Sequence, residues 1–232
     1  MIRYQAKTVA DALLEECSDA DAPRFAAELF RHYHDPASVE PDAAFALLDT
    51  VLNLPMNRVS PADQETLLVE FATWWLEHGE ASQKAAALRL FRYLLTVLSP
   101  DAPERQTMAE AVESADCVIS TPLLFLQAQV GAHLGLDVSA HRALLDHPDA
   151  ISTVFLDNLQ TATPWVLKAV GVEYLLDQVE QGNRANVLHI ATHFSNLIKV
   201  SENVVVRRMA GASLLSIAPV LTRTGATRSR WN

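Results

Sequence analysis

SENVVVRRMAGASLLSIAPVL, residues 201–221, carries the clearest architectural pattern in the chain. Val206, Ala210, Leu214, Ile217 and Leu221 recur at intervals of three and four, which gathers them on one side of an α-helix. Ser201 stands where an N-cap belongs, since a side-chain oxygen there accepts from the first free N–H groups. Arg207 and Arg208 open the opposite side, and Gly211 and Ala212 leave the flanks bare enough for a second helix to approach closely. Pro219 has no N–H, which predicts a kink or an end near Ala218.

The preceding stretch supplies the partner for that seam. In RANVLHIATHFSNLIKV, residues 184–200, Val187, Ile190, Ala191, Phe194, Leu197 and Ile198 form an apolar side and Asn186, His189, His193 and Asn196 a polar stripe. Further outward the chain reads as helix after helix, each opened by a capping residue, a proline or both. Pro164 opens a helix that Gly182 ends, and Thr121 with Pro122 opens one that is apolar nearly all round and stops at Gly135. Short helices are expected over residues 139–146 and 148–160, and an outer, weakly amphipathic one beginning at Ser99 and Pro100. Residues 81–98 should bury Ala87, Leu88, Phe91, Leu94, Leu95 and Leu98. Ser60 and Pro61 start a helix with Leu68, Phe71 and Trp75 as its seam and Gly79 as its C′ stop. Of the adjacent Trp74 and Trp75, only one can enter a given interface, because they differ by about 100° around the axis. Three more helices are expected before residue 60, giving about twelve in all and no strand.

Starts recur at a near-constant interval: 38 residues from Pro23 to Pro61, 39 from Pro61 to Pro100, 42 from Pro122 to Pro164, and 38 from Thr163 to Ser201. Those intervals are close to the ~40-residue period of two-helix repeats, with a break between Pro100 and Pro122. Within residues 183–221 the order of polar turn, valines, arginine pair, small residues and leucines resembles the second helix of a HEAT repeat, in the HEAT/armadillo-like superfamily. The resemblance implies an all-α, right-handed α-solenoid of about five or six antiparallel helix pairs. It also implies a surface that binds macromolecules rather than a reaction. An irregular helical bundle is the alternative. The expected organisation is one helical-repeat domain over residues 1–221 and a flexible basic tail over residues 222–232.

Composition agrees with an all-helical chain: half of the 232 residues are hydrophobic and only seven are glycine, too few for the tight turns of an all-β protein. Cys17 and Cys117 form neither a disulfide framework nor a zinc signature, so a reducing, cytoplasmic setting is expected. No signal-peptide core and no run of about 18 apolar residues is visible, so no membrane association is expected. Charge is strongly divided. Residues 1–182 carry 27 acids against 11 Lys or Arg, a formal −16. Residues 183–232 carry Glu202 against Arg184, Lys199, Arg207, Arg208, Arg223, Arg228 and Arg230, a formal +6. Such a bipolar chain can steer an acidic partner to its C-terminal end, or its two ends can satisfy each other.

No nucleophile elbow, phosphate-cradling glycine loop or paired-carboxylate motif is present, and no cofactor is expected. His189 and His193 share a helix face, but HIATH lacks the glutamate of HExxH and no third metal ligand is evident, so no metal is assigned. The expected activity is that of a non-catalytic protein-interaction scaffold or adaptor. Its candidate partner-binding residues are Asn186, His189, His193, Asn196, Arg207, Arg208, Arg223, Arg228 and Arg230. The alternative is a nucleic-acid-associated HEAT-like protein resembling the alkylpurine DNA glycosylases of that architecture. The basic C-terminal end favours it and the acidic remainder opposes it.

Overall fold

The computed structural model of the chain describes residues 61–182 and 185–228, side chains at 61–64, 67, 71 and 223–228 excepted. These residues are all-helical, with no strand among them: α1 (Pro61–His78), α2 (Ala81–Val97), α3 (Glu104–Ser114), α4 (Thr121–His133), α5 (Ser139–Leu145), α6 (Pro148–Leu159), α7 (Trp165–Glu180), α8 (Val187–Val200) and α9 (Val204–Arg228). The three helices expected before residue 60 lie outside the described residues.

Among the described helices a row can be traced in which α2 touches α4, α4 touches α7 and α7 touches α9, with α2 also touching α7. The remaining helices flank it: α1 packs on α2 and α3, α6 on α4 and α7, and α8 on α9 and α6. The row is apolar because its sequences are. Leu123, Leu126 and Val130 of α4 and Ala169, Val170, Val172, Tyr174 and Leu175 of α7 have no exposed surface, so the all-round hydrophobicity of α4 does place it at the centre. Trp75 is buried on α1 while Trp74 is half-buried, its ring tilted against that of His78, so the two tryptophans divide as their angular separation requires. Polar ties centred on Glu173 of α7 cross the row: Arg92 of α2 donates to Glu173 at 2.8 Å and to Gln129 of α4 at 3.0 Å, and Arg89 of α2 pairs with Glu173 at 3.8 Å.

Helix ends explain how so few glycines suffice. The last carbonyls of a helix lack internal donors, and here side chains from neighbouring elements supply them. Arg105 donates to the carbonyls of Leu95, Leu98 and Ser99 at the end of α2, and buried Gln127 to those of Val112 and Ala115 at the end of α3. Tyr174 Oη donates to the Leu145 carbonyl at the end of α5. Gly135 and Gly182 close α4 and α7 with positive φ, as expected. Gly79 does not adopt positive φ; its role is close approach, since a Cβ there would meet the Trp75 carbonyl oxygen and lie 2.8 Å from Gln83 Cβ.

Several expectations need correction. The N-cap of α9 is Asn203, whose Oδ1 accepts from Val205 and Val206 N–H at 2.8 and 3.3 Å; Ser201 instead terminates α8. An amide side chain one residue before the helix reaches those donors, whereas Ser201 is two residues too early. Pro219 does not end α9, which continues to Arg228 and so takes in most of the stretch expected to be tail. The carbonyl that loses its donor to the proline belongs to Leu215, which is 77% exposed, so water can replace the missing N–H. Leu214 and Leu221 are only half-buried, and Ser213 shares the inner seam with Val206, Ala210 and Ile217. Ile198 is exposed rather than core: Phe194 and Leu197 fill the seam, and Ile198 lies over the bare flank at Gly211. Leu95 is likewise half-buried, and α3, expected outside, begins only at Glu104 and buries Met108, Ala111 and Val112.

Candidate binding cleft between α6 and α8

Helices α6 and α8 touch, and between them lies an open cleft of about 390 Å³. From α6 it is lined by Pro148, Ile151, Ser152 and Phe155, and from the start and outer side of α8 by Asn186, His189, Thr192, His193 and Asn196. The polar stripe read from the sequence is therefore one wall of a cleft. Its spacing of three and four residues aligns the stripe along the helix, and the same spacing puts Val187, Ile190, Phe194 and Leu197 into the core behind it.

His193 departs from the solvated position expected of it. It is 5% exposed, its ring lies against Phe155 with centroids 4.7 Å apart, and burial pushes its pKa down to about 4. It is neutral at pH 7. Asn158 Nδ2 lies 3.4 Å from His193 Nε2 and donates to it when the imidazole proton sits on Nδ1. Asn158 Oδ1 is buried with no hydrogen-bond partner, and its carboxamide rests against α7 where a Cβ on Gly171 would come within 2.8 Å of that oxygen. Gly171 is thus the residue that lets the Asn158–His193 pair fit.

Asn158, Phe155, Ser152 and Thr192 were not identified from the sequence. Asn158 had a readable signal: Ala150, Ile151, Val154 and Asn158 share the buried side of α6, and an amide in that register is a polar group needing a purpose. Phe155 had none, because an aromatic in VFL reads as core.

The arginines do not join the stripe. None lines the cleft. Arg207 Nη1 donates to the carbonyls of Ser201 at 2.6 Å and Glu202 at 3.1 Å, which holds its head group on the α8–α9 turn, while Arg208 is exposed on α9. Arg223 and Arg228 fall within the bounds of α9 with their side chains outside the description, and Arg230 lies outside the described residues. Among the described residues no group of three or more His, Cys, Asp or Glu could hold a metal ion. Cys117 is buried, which raises its thiol pKa to about 11 and leaves it a weak nucleophile at neutral pH.

What the cleft offers is recognition chemistry. Its lining carries no Lys, Arg, Asp or Glu, an apolar side formed by Pro148, Ile151 and Phe155, and asparagines at either end that each present a donor and an acceptor. Compared with protein-family models, curated proteins and solved structures, the chain matches none.

Proposed function

We propose that this chain is a non-catalytic protein-interaction scaffold, a HEAT-like right-handed α-solenoid of antiparallel helix pairs, and that the α6–α8 cleft receives an extended segment of a partner protein. The near-constant spacing of helix starts and the row of helices each touching the next support the repeat architecture. The observation that carries the binding role is the cleft itself, with an apolar wall facing an uncharged wall of amides and imidazoles. Asn186 and Asn196 are ten residues apart, about 15 Å along a helix at 1.5 Å per residue. An extended chain covers that distance in about four to five residues, with backbone N–H and C=O groups that match a carboxamide's acceptor and donor. Ile151 and Phe155 would take alternate apolar side chains of such a segment. The nucleic-acid reading gains nothing from this cleft, which lacks any cation to meet a phosphate.

The test uses the exposed members of the wall, whose removal leaves the core alone. Partners are captured from native cells on the full chain and identified, and the affinity of the recovered partner is then measured for His189→Ala with Asn196→Ala. Binding should weaken about tenfold or more at unchanged melting temperature, as expected when central polar contacts of an interface are removed. Unchanged affinity would remove the cleft from the interface.

A further inference from the structure

A second surface lies on the other side of the α8–α9 pair and is independent of the cleft. Helix α9 turns Val206, Ala210, Ser213 and Ile217 inward against its neighbours. On the opposite side Val204, Val205, Arg208, Ala212, Leu215 and Ser216 are all exposed. At about 100° per residue these six fall on one continuous face. Three of them are large and apolar, with Leu215 the most exposed large hydrophobic residue of the described chain at 77%. Residues Val204–Thr222 are long and apolar enough by composition to cross a membrane, yet only 22% of that stretch is buried. A soluble chain does not ordinarily leave so apolar a helix uncovered.

Three features define what would cover it. Ala212 is small and falls between Leu215 and Val205 around the helix axis, so the backbone of another helix can approach closely there, with those two side chains as ridges. Among the described residues α9 is the last helix of the row of α2, α4, α7 and α9, so a further helix would be added on its outer face. The electrostatics are one-signed. Arg208 is the only charge on the face, and residues 183–232 hold Glu202 against seven Lys or Arg. An isologous pairing of two copies would set two basic ends against each other, whereas an acidic partner is attracted. A membrane-surface helix is rich in Lys and Arg on its polar side and carries Trp, Phe or Leu on its apolar side, and this face has one Arg, one Leu and no aromatic residue.

We infer that the outer face of α9 docks an amphipathic helix of a partner protein, apolar where it meets Val205 and Leu215 and acidic where it meets Arg208. The contact is helix on helix, with ridges set into the groove over Ala212 and a carboxylate paired with the guanidinium.

The probe is a synthetic, end-blocked helical peptide of about 18 residues, with leucines at intervals of three and four along one face and glutamates flanking them. The control replaces every glutamate with lysine, and vesicles of phosphatidylcholine with phosphatidylserine form a third arm. Binding to the full chain is followed by fluorescence anisotropy, and the site by amide chemical shifts. The acidic peptide should bind at least about tenfold more tightly than the lysine peptide, with shifts centred on α9, and its affinity should fall as salt rises. Leu215→Asp should lower that affinity about tenfold or more, and Arg208→Glu should reverse the preference between the peptides. Both side chains are exposed, so both variants should keep the wild-type melting temperature, while His189→Ala with Asn196→Ala should leave this binding unchanged. Equal binding of the two peptides, shifts centred elsewhere, or no binding at millimolar peptide would overturn the assignment. Vesicle binding abolished by Leu215→Asp, without acidic-peptide binding, would make the face a membrane contact instead.

Discussion

Neutral, buried His193 makes the stability of this protein pH-dependent in a calculable way. Its pKa is about 4 in the fold, where burial disfavours the imidazolium, against an ordinary value of 6.5. Below pH 6.5 the unfolded chain takes up a proton that the folded chain refuses until pH approaches 4, so the contribution is complete above 6.5 and lost as pH falls through that window. From those two values, lowering the pH from 7.5 to 5.0 should cost about 2 kcal/mol of unfolding free energy through this residue alone. The figure scales with burial, and His193 is 5% exposed. Urea unfolding of the wild type and of His193→Gln at both pH values isolates the term. The wild type should lose about 2 kcal/mol more than the variant. A difference under about 0.5 kcal/mol would refute the argument, as would an NMR titration of wild-type His193 with a midpoint near 6.5. The titration needs no variant and so holds even if His193→Gln folds poorly.

Two further outcomes follow from the α8–α9 packing. Ile217 is 1% exposed and Leu214 only half-buried, so Ile217→Ala should cost about 2–5 kcal/mol in denaturant unfolding and Leu214→Ala clearly less; equal losses would mean the inner face is misassigned. Since Asn203 rather than Ser201 caps α9, Asn203→Ala should cost about 1 kcal/mol and Ser201→Ala only a few tenths, and the reverse order would restore Ser201 as the cap.

Sequence alone determined the class of structure and most of its pieces. Prolines, caps and glycines mark chemistry local to the backbone, so helix starts at Pro148 and Pro164 and stops at Gly135 and Gly182 were legible without knowing any neighbour. Apolar period likewise chose the buried side of α8 and α2, because amphipathicity is a property of one helix. The stripe Asn186, His189, His193 and Asn196 was visible for the same reason.

Tertiary structure decided whatever depends on two helices at once. Whether His193 is wet or buried turns on how closely Phe155 of α6 approaches it, and Phe155 lies 38 residues earlier in the chain. Arg207 and Arg208 are equal in sequence, yet only Arg207 reaches the carbonyls of the α8–α9 turn. Ile198 fits the core period but is displaced because Phe194 and Leu197 already occupy the seam. Periodicity names the face a helix buries; only the shapes of its neighbours decide which residues at the edge of that face are covered, because packing is a joint property of both surfaces.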